Sequence, residues 1–178
     1  MATPTESPGA VIEQQIDAIL QRLVKSKDVD SHMQQVLDIA ITMTDADMGM
    51  LQRFDEKNDC LRIVASRGLS NEALTSFDTV RRDTNSTCAI ALTRRMRVFV
   101  GDVSTSYLYV GSRELDMLRA IGVAAAQSTP LISRKGRFWG ALTTHFREPR
   151  PESNFNHAPL DRLAIQVADS LEQRESLA

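Results

Sequence analysis

The sequence predicts a single antiparallel α+β domain: a central β-sheet with terminal helices on one face, and short helices and loops roofing a pocket on the other. Three observations carry this. The stretch Val123 to Phe146 (VAAAQSTPLISRKGRFWGALTTHF) holds two runs rich in Val, Ile, Leu, Phe, Trp and Thr, separated by Arg134, Lys135 and Gly136, and so reads as a hairpin. Apolar residues recur at helical spacing near both chain ends. Between the first strands and the hairpin runs a long excursion of short elements, Leu69 to Gly122, which has to cross the sheet face that the terminal helices leave open.

Residues 1–10, with several Pro, Gly, Ser and Thr, are expected to be a disordered lead-in, and residues 11–176 to form the domain. Ile12, Ile16, Ile19 and Leu23 recur every three or four residues, which predicts an amphipathic helix over Val11 to Lys25. A polar break, Lys25 to Asp30, precedes a second helix carrying Met33, Val36, Leu37, Ala40 and Ile41, with Asp30 or Ser31 as its cap. Met48 to Phe54 and Leu61 to Ser66 read as paired strands around the charged turn Asp55 to Asp59. Short helices are expected over Asn71 to Phe77 and Ser86 to Arg95, the latter capped by Thr84, Asn85 or Ser86. A short strand at Val98 to Val100, a loop from Gly101 to Gly111 and a helix opened by Ser112 and ending near Ala120 lead into the hairpin. On its second strand, period-2 alternation puts Phe138, Gly140, Leu142, Thr144 and Phe146 on one face and Trp139, Ala141, Thr143 and His145 on the other. Neither face is charged, so the strand belongs in the middle of the sheet. Leu160, Leu163, Ala164, Val167 and Leu171 give one stripe on a closing helix from about Ala158 to Glu175.

Composition excludes several classes of function. The 178 residues are 42% hydrophobic and 25% charged, enough for one core and one site. A net charge of −2 and scattered Lys and Arg exclude the electrostatic footprint of a nucleic-acid binder. No apolar run approaches the roughly 20 residues that span a bilayer, and the polar start lacks the regions of a signal peptide, so no membrane association and a cytoplasmic location are expected. The two cysteines, Cys60 and Cys88, suit neither a disulfide framework nor a zinc site and are expected to be reduced thiols.

The order of two leading helices, a hairpin, NSTCAIAL, MRVFVGDV, the long AIGVAAAQSTPLISRKGRFWGALTTHFREPR segment and a closing helix resembles a GAF domain over residues 10 to 176. The likeness is nearest to GAF domains that precede bacterial sensor histidine kinases. Phytochrome GAF domains share a similar glycine-containing hairpin and a similar ending to the first strand, here Gln52-Arg53-Phe54-Asp55. The resemblance implies a GAF/PAS-like fold and a non-catalytic sensory domain that binds a small molecule and signals through its terminal helices, with a histidine kinase or another signalling output as partner. By analogy with phytochromes, Gln52, Ala126, Ser128, Leu142, Thr144 and Phe146 would face the ligand, with Phe54 and Cys88 beside them. Trp139, Thr143 and His145 would pack under the terminal helices. The ligand is not specified. A bilin is not expected, because Phe146 stands where a chromophore-holding histidine would be, Gln52 where a tyrosine would be, and the roof lacks the Asp-Ile-Pro signature.

Cys88 has two readings. NSTC places its thiol near a helix N-terminus, where the dipole lowers a thiol pKa, and some stand-alone GAF proteins reduce free methionine sulfoxide with a cysteine nucleophile. The alternative function is therefore a thiol-based redox enzyme or sensor. As a small apolar residue Cys88 would instead pack the helix onto the sheet. His145 is expected to be a hydrogen-bonded structural histidine, His32 and His157 to be exposed at helix starts, and Asp102 to satisfy loop N–H groups. The stripes of the terminal helices are expected to leave apolar surface for a homodimer.

Overall fold

The computed structural model of the protein describes residues 8–177. Six helices and six strands follow in the order α1 (Pro8–Lys25), α2 (Val29–Thr44), β1 (Met48–Asp55), β2 (Cys60–Arg67), α3 (Asn71–Phe77), β3 (Thr79–Val80), α4 (Thr87–Arg94), β4 (Val98–Val100), α5 (Arg113–Ala120), β5 (Ala125–Ile132), β6 (Phe138–Phe146) and α6 (Ala158–Ser176). The predicted elements are present within two or three residues; the additions are β3, too short to show in any pattern, and a 3-10 turn at Glu152–Asn154 before α6. Residues 8–10 belong to α1 rather than to a lead-in; the rest of the proposed tail lies outside the described residues. Asp28, not Asp30 or Ser31, caps α2, its Oδ1 accepting from Ser31 N at 3.1 Å. Ser70, Ser86 and Ser112 cap α3, α4 and α5 in the same manner. Among the described residues no helix is long and apolar enough to cross a membrane.

All strand pairs are antiparallel, in the order β3-β2-β1-β6-β5-β4. Two cores flank this sheet. On one face α1, α2 and α6 enclose Leu23, Met33, Leu37, Leu51, Trp139, Leu142, Leu163 and Val167. On the other, α3, α4 and α5 enclose Met48, Met50, Leu61, Phe77, Cys88, Leu92, Leu118, Phe138 and Ala141. Burying each large side chain is worth about 1.5–3 kcal/mol, so both faces contribute substantially to stability. Every residue of β6 is buried.

The two faces of β6 do not follow the predicted alternation. Phe138 and Trp139 lie on the roof and helix faces as expected, but beyond Gly140 the assignment reverses. Leu142 joins the helix-side core with Leu51, its partner across β1. Thr144 pairs with Gly49, where an added Cβ would meet the Leu37 and Ile41 side chains of α2 at 3.0 and 3.3 Å. Thr143 and His145 consequently face the roof. The cause is a bulge: the β5–β6 register runs Leu131 opposite Gly140 but Ile132 opposite Phe138, which leaves an extra residue in β6. Gly140 permits it, with φ at +155° and its Cα so near β1 that a Cβ would lie 2.0 Å from the Gln52 carbonyl oxygen.

Gly140→Ala is therefore expected to lower unfolding stability by at least about 3 kcal/mol, measured as a shift of the urea midpoint at unchanged slope. A loss under about 1 kcal/mol, the helix-interior scale for exchanging Gly and Ala, would show that the close approach is not a constraint.

Candidate functional site

The roof face of the sheet carries an unusual density of polar side chains for a core. Gln52, Ser86, Thr87, Ser128, Thr143 and His145 are all buried there, with Cys88 and Tyr109 among them. They divide into two groups by what their polar atoms do.

The first group satisfies itself. Cys88 Sγ lies 3.1 Å from Thr143 Oγ1, which lies 2.8 Å from Ser128 Oγ, and Ser128 in turn donates to Thr87 Oγ1 at 2.8 Å. Thr87 N–H, one of the orphan donors of the first turn of α4, donates to Tyr109 Oη at 3.1 Å. Tyr109 is itself sealed in, and burial pushes its phenol up to about 12. The same desolvation raises the Cys88 thiol, outweighing the hydrogen bonds from Thr143 and Ser128 that favour the thiolate. Cys88 does sit at the start of α4 as predicted, but in a dry site that keeps it protonated. Cys60 is also free and buried.

The second group is left open. Gln52 donates from Nε2 to the Phe77 carbonyl at 3.2 Å, while its Oε1 has no partner. His145 has no partner at Nδ1, and its ring stacks on Phe77 with centroids 6.3 Å apart and planes 25° apart. Burial depresses the His145 pKa to about 4, so the ring is neutral at physiological pH. An unpaired polar atom in a core costs on the order of 1–3 kcal/mol. Phe77, which contacts both members of this pair, also lines a cavity of about 180 Å3 together with Ser76, Val80, Thr84, Ser86 and residues Arg113, Glu114 and Met117 of α5.

The predicted site residues thus separate. Gln52, Ala126, Ser128 and Cys88 lie on the roof side, with Ala126 opposite His145 in the register. Phe54 is on that side too but away from Phe77: it packs edge-on against Phe138 at 5.4 Å, under the Arg95 guanidinium. Leu142 and Thr144 face the terminal helices because of the bulge, and do not line the pocket. Phe146 is likewise withdrawn. Its ring lies 5.3 Å from Phe155, just before α6, with Arg150 stacked on it. His145 takes the place they vacate, contrary to its expected position under the helices. His32 is buried on the inner side of α2, with Nδ1 2.5 Å from the Asp28 carbonyl, and His157 stacks on Phe155; neither is exposed. Asp102 accepts from Ser104 N at 2.8 Å, the loop role expected of it. Phe77 and Tyr109 carried no signal in the sequence. The one available clue to His145 was Gly140, since a glycine inside a strand marks a bulge. Among the described residues no group of His, Cys, Asp or Glu is placed to hold a metal ion.

Comparison with known proteins bears on the same architecture. A family model described as GAF domain matches residues 26–172. Among solved structures, a domain of a putative two-component sensor histidine kinase from Sinorhizobium meliloti 1021 superposes with a TM-score of 0.68 at 24% identity, covering 85% of this chain and 97% of that one. The GAF domain of an Acinetobacter phosphoenolpyruvate-protein phosphotransferase gives 0.71 at 15% identity, covering 97% and 98%. Free methionine-R-sulfoxide reductase from Neisseria meningitidis, solved with its substrate, gives 0.69 at 15%, covering 100% and 98%. At these identities the likeness is one of fold. No curated protein matches the sequence.

The depressed His145 pKa has a consequence for stability. The unfolded chain takes up a proton at this residue below about pH 6.5, whereas the folded protein resists until about pH 4. Stability is therefore full above the unfolded pKa and is lost as pH falls toward the folded one, by about 3 kcal/mol in total. His145→Gln is expected to flatten the pH dependence of unfolding between pH 6.5 and 4 relative to the parent. Parallel curves for the two proteins would show His145 to be solvated.

Proposed function

Because the chain belongs to the GAF domain family, we propose that it is a sensory domain that binds a small molecule on the roof face of its sheet and passes the occupied state to a signalling partner through its terminal helices. One observation carries the binding half of this reading: Gln52 Oε1 and His145 Nδ1, both buried and both unpartnered, beside a roof-side cavity. Buried polar atoms in cores are almost always paired, so two left open beside a cavity call for a partner, which a bound ligand would supply. The Cys88 thiol is spent in a hydrogen-bonded chain and raised in pKa, opposite to what a nucleophile needs, so the binding reading is preferred to the thiol enzyme.

The signalling half is supported by how the helices are tied to the strands. β6 presents Thr143 and His145 to the roof, and Leu142 and Thr144 to α2 and α6, so one strand touches both the site and the helices. The β5–β6 turn is fastened to α6 by Arg134 N–H donating to Asp169 Oδ1 at 2.8 Å. Arg174 of α6 reaches back to the Leu23 and Ser26 carbonyls at the end of α1, so α1 and α6 move as a pair. The partner in this reading is a histidine kinase or another output module of two-component type. Two free, buried thiols accord with a cytoplasmic location.

A thermal-shift panel of nucleotides, amino acids and tetrapyrroles tests ligand binding. At a hundredfold excess over Kd a ligand adds about 2.7 kcal/mol, which for a domain of this size raises Tm by roughly 5–10 °C. Gln52→Leu is expected to weaken the ligand so found by about 10- to 100-fold while leaving the fold intact. A ligand whose binding ignores this substitution lies elsewhere.

We also propose that the terminal helices pair across a two-fold axis. The domain's own core takes Ile16, Ile19, Leu20 and Leu23 of α1, leaving Val11 and Ile165 exposed on α1 and α6. Light scattering at micromolar concentration should give a dimer mass, reduced to the monomer by Val11→Asp with Ile165→Asp; a monomer of the parent chain ends this proposal.

A further inference from the structure

The roof-side cavity of about 180 Å3 is too small for the site it adjoins, since ligand pockets begin near about 300 Å3. Phe77 lines the cavity, its ring stacks on His145, and its carbonyl holds the Gln52 amide. The cavity and the two residues with unpartnered atoms therefore meet at a single residue. We infer that Phe77 is the gate of the ligand chamber, and that the molecule admitted when its ring swings out carries an uncharged head group with an N–H or O–H donor for Gln52 Oε1. The inference rests on the small-molecule reading of this face.

The gate is weakly held. Phe77 is the last residue of a seven-residue helix whose buried residues are Ala73 and Phe77. Displacing the ring merges the outer cavity with the space over the sheet between Gln52 on β1 and His145 on β6. The Gln52 carboxamide stays anchored through Nε2 to the Phe77 backbone carbonyl, which holds its unpartnered Oε1 ready to accept from the ligand. His145 Nδ1 meets either a donor or an acceptor, according to its tautomer.

The charge of the head group follows from its surroundings. Among the described residues no Asp, Glu, Lys or Arg is buried, so an ionic head entering here would lose its hydration with no counter-ion to replace it. The start of α4 offers an anion little, because Thr87 N–H is taken by Tyr109 and Ala89 N–H by Ser86 Oγ. At the mouth the reverse holds. Arg113 and Glu114 line the outer cavity, where a charged or zwitterionic tail keeps its water.

The test uses the full chain labelled with 15N, read at the Gln52 side-chain amide and the His145 ring nitrogens, with uracil as the neutral probe, acetate as the anion and methylammonium as the cation. In Phe77→Ala, uracil is expected to shift both sets of signals with an apparent Kd at least tenfold below that of the parent chain, and the two ions to shift neither. Adding Gln52→Leu removes the uracil response. Phe77→Leu, a milder volume change, gives the same order of affinities where the alanine variant fails to fold. Equal response in parent and variants, response to the ions matching uracil, or no response in a folded variant each overturns the gate. The thermal-shift panel on the parent chain decides the small-molecule reading independently, so either can fail while the other stands.

Discussion

The close approach of β6 to β1 at Gly140 is the constraint on which the arrangement of this domain depends. With β1 on one edge, β5 on the other and a helical layer over each face, β6 has neither edge nor face from which to shed strain into water. An extra residue in such a strand can be accommodated only where the backbone folds in on itself, and a side chain at that point would occupy the space of the Gln52 carbonyl. The consequence extends along the whole distal half of the strand. Every side chain after Gly140 is rotated to the opposite layer from the one strict alternation would give, which brings His145 and Thr143 to the polar roof and seats Leu142 beneath the helices.

Once the faces are fixed, the difference between structure and function on the roof side is a matter of which polar atoms are already spoken for. Thr87, Cys88, Ser128 and Thr143 exchange hydrogen bonds with one another, and such a closed network rigidifies a core without offering anything to a ligand. Gln52 and His145 are only half engaged. Thr143 of the first set and His145 of the second stand two residues apart on β6, so residue type and strand position alone do not tell the sets apart. Cys88 illustrates this: position at a helix start argues for a reactive thiol, and burial, the larger effect here, argues against it.

Most of the element order was legible in the sequence because each element is signalled locally. The stripes of α1, α2 and α6, the serine caps of α4 and α5, and the glycine turn at Gly136 (φ +87°) are written in spacings of four residues or fewer. The site was less legible, for a physical reason. Which face a strand residue occupies is a parity, and one inserted residue inverts it for everything downstream. Strict alternation consequently puts Leu142, Thr144 and Phe146 in the pocket and His145 under the helices, whereas Trp139, the extra residue at the bulge and ahead of the reversal, keeps the predicted face. Gln52 escaped the error because the irregularity near it falls in β2, leaving its own register with β6 unbroken. Phe77 was invisible because nothing local distinguishes an aromatic gate from an aromatic core residue. The apolar stripe of α2 starts later than the helix it belongs to, so it points to Asp30 or Ser31 rather than to Asp28 as the cap.

The bulge also shapes the helix-facing layer, which receives polar groups along with Leu142. Thr144, Gln127 opposite it, and Thr129 opposite Leu142 are buried with unpartnered side-chain atoms, beside an otherwise apolar cluster. Each subtracts on the order of 1–3 kcal/mol from what apolar burial contributes to seating the helices. The helices of this layer are thus held by a large apolar area with a local polar deficit at its centre, on the very strand whose other face carries His145. In the proposed sensory reading such a seat admits a small sliding displacement that keeps most of the apolar area and gives the polar groups new partners. On that reading, a ligand that orders His145 and Gln52 needs only to shift β6 slightly to favour one seat over another. The same polar residues that make the sheet a costly core then make it a responsive one.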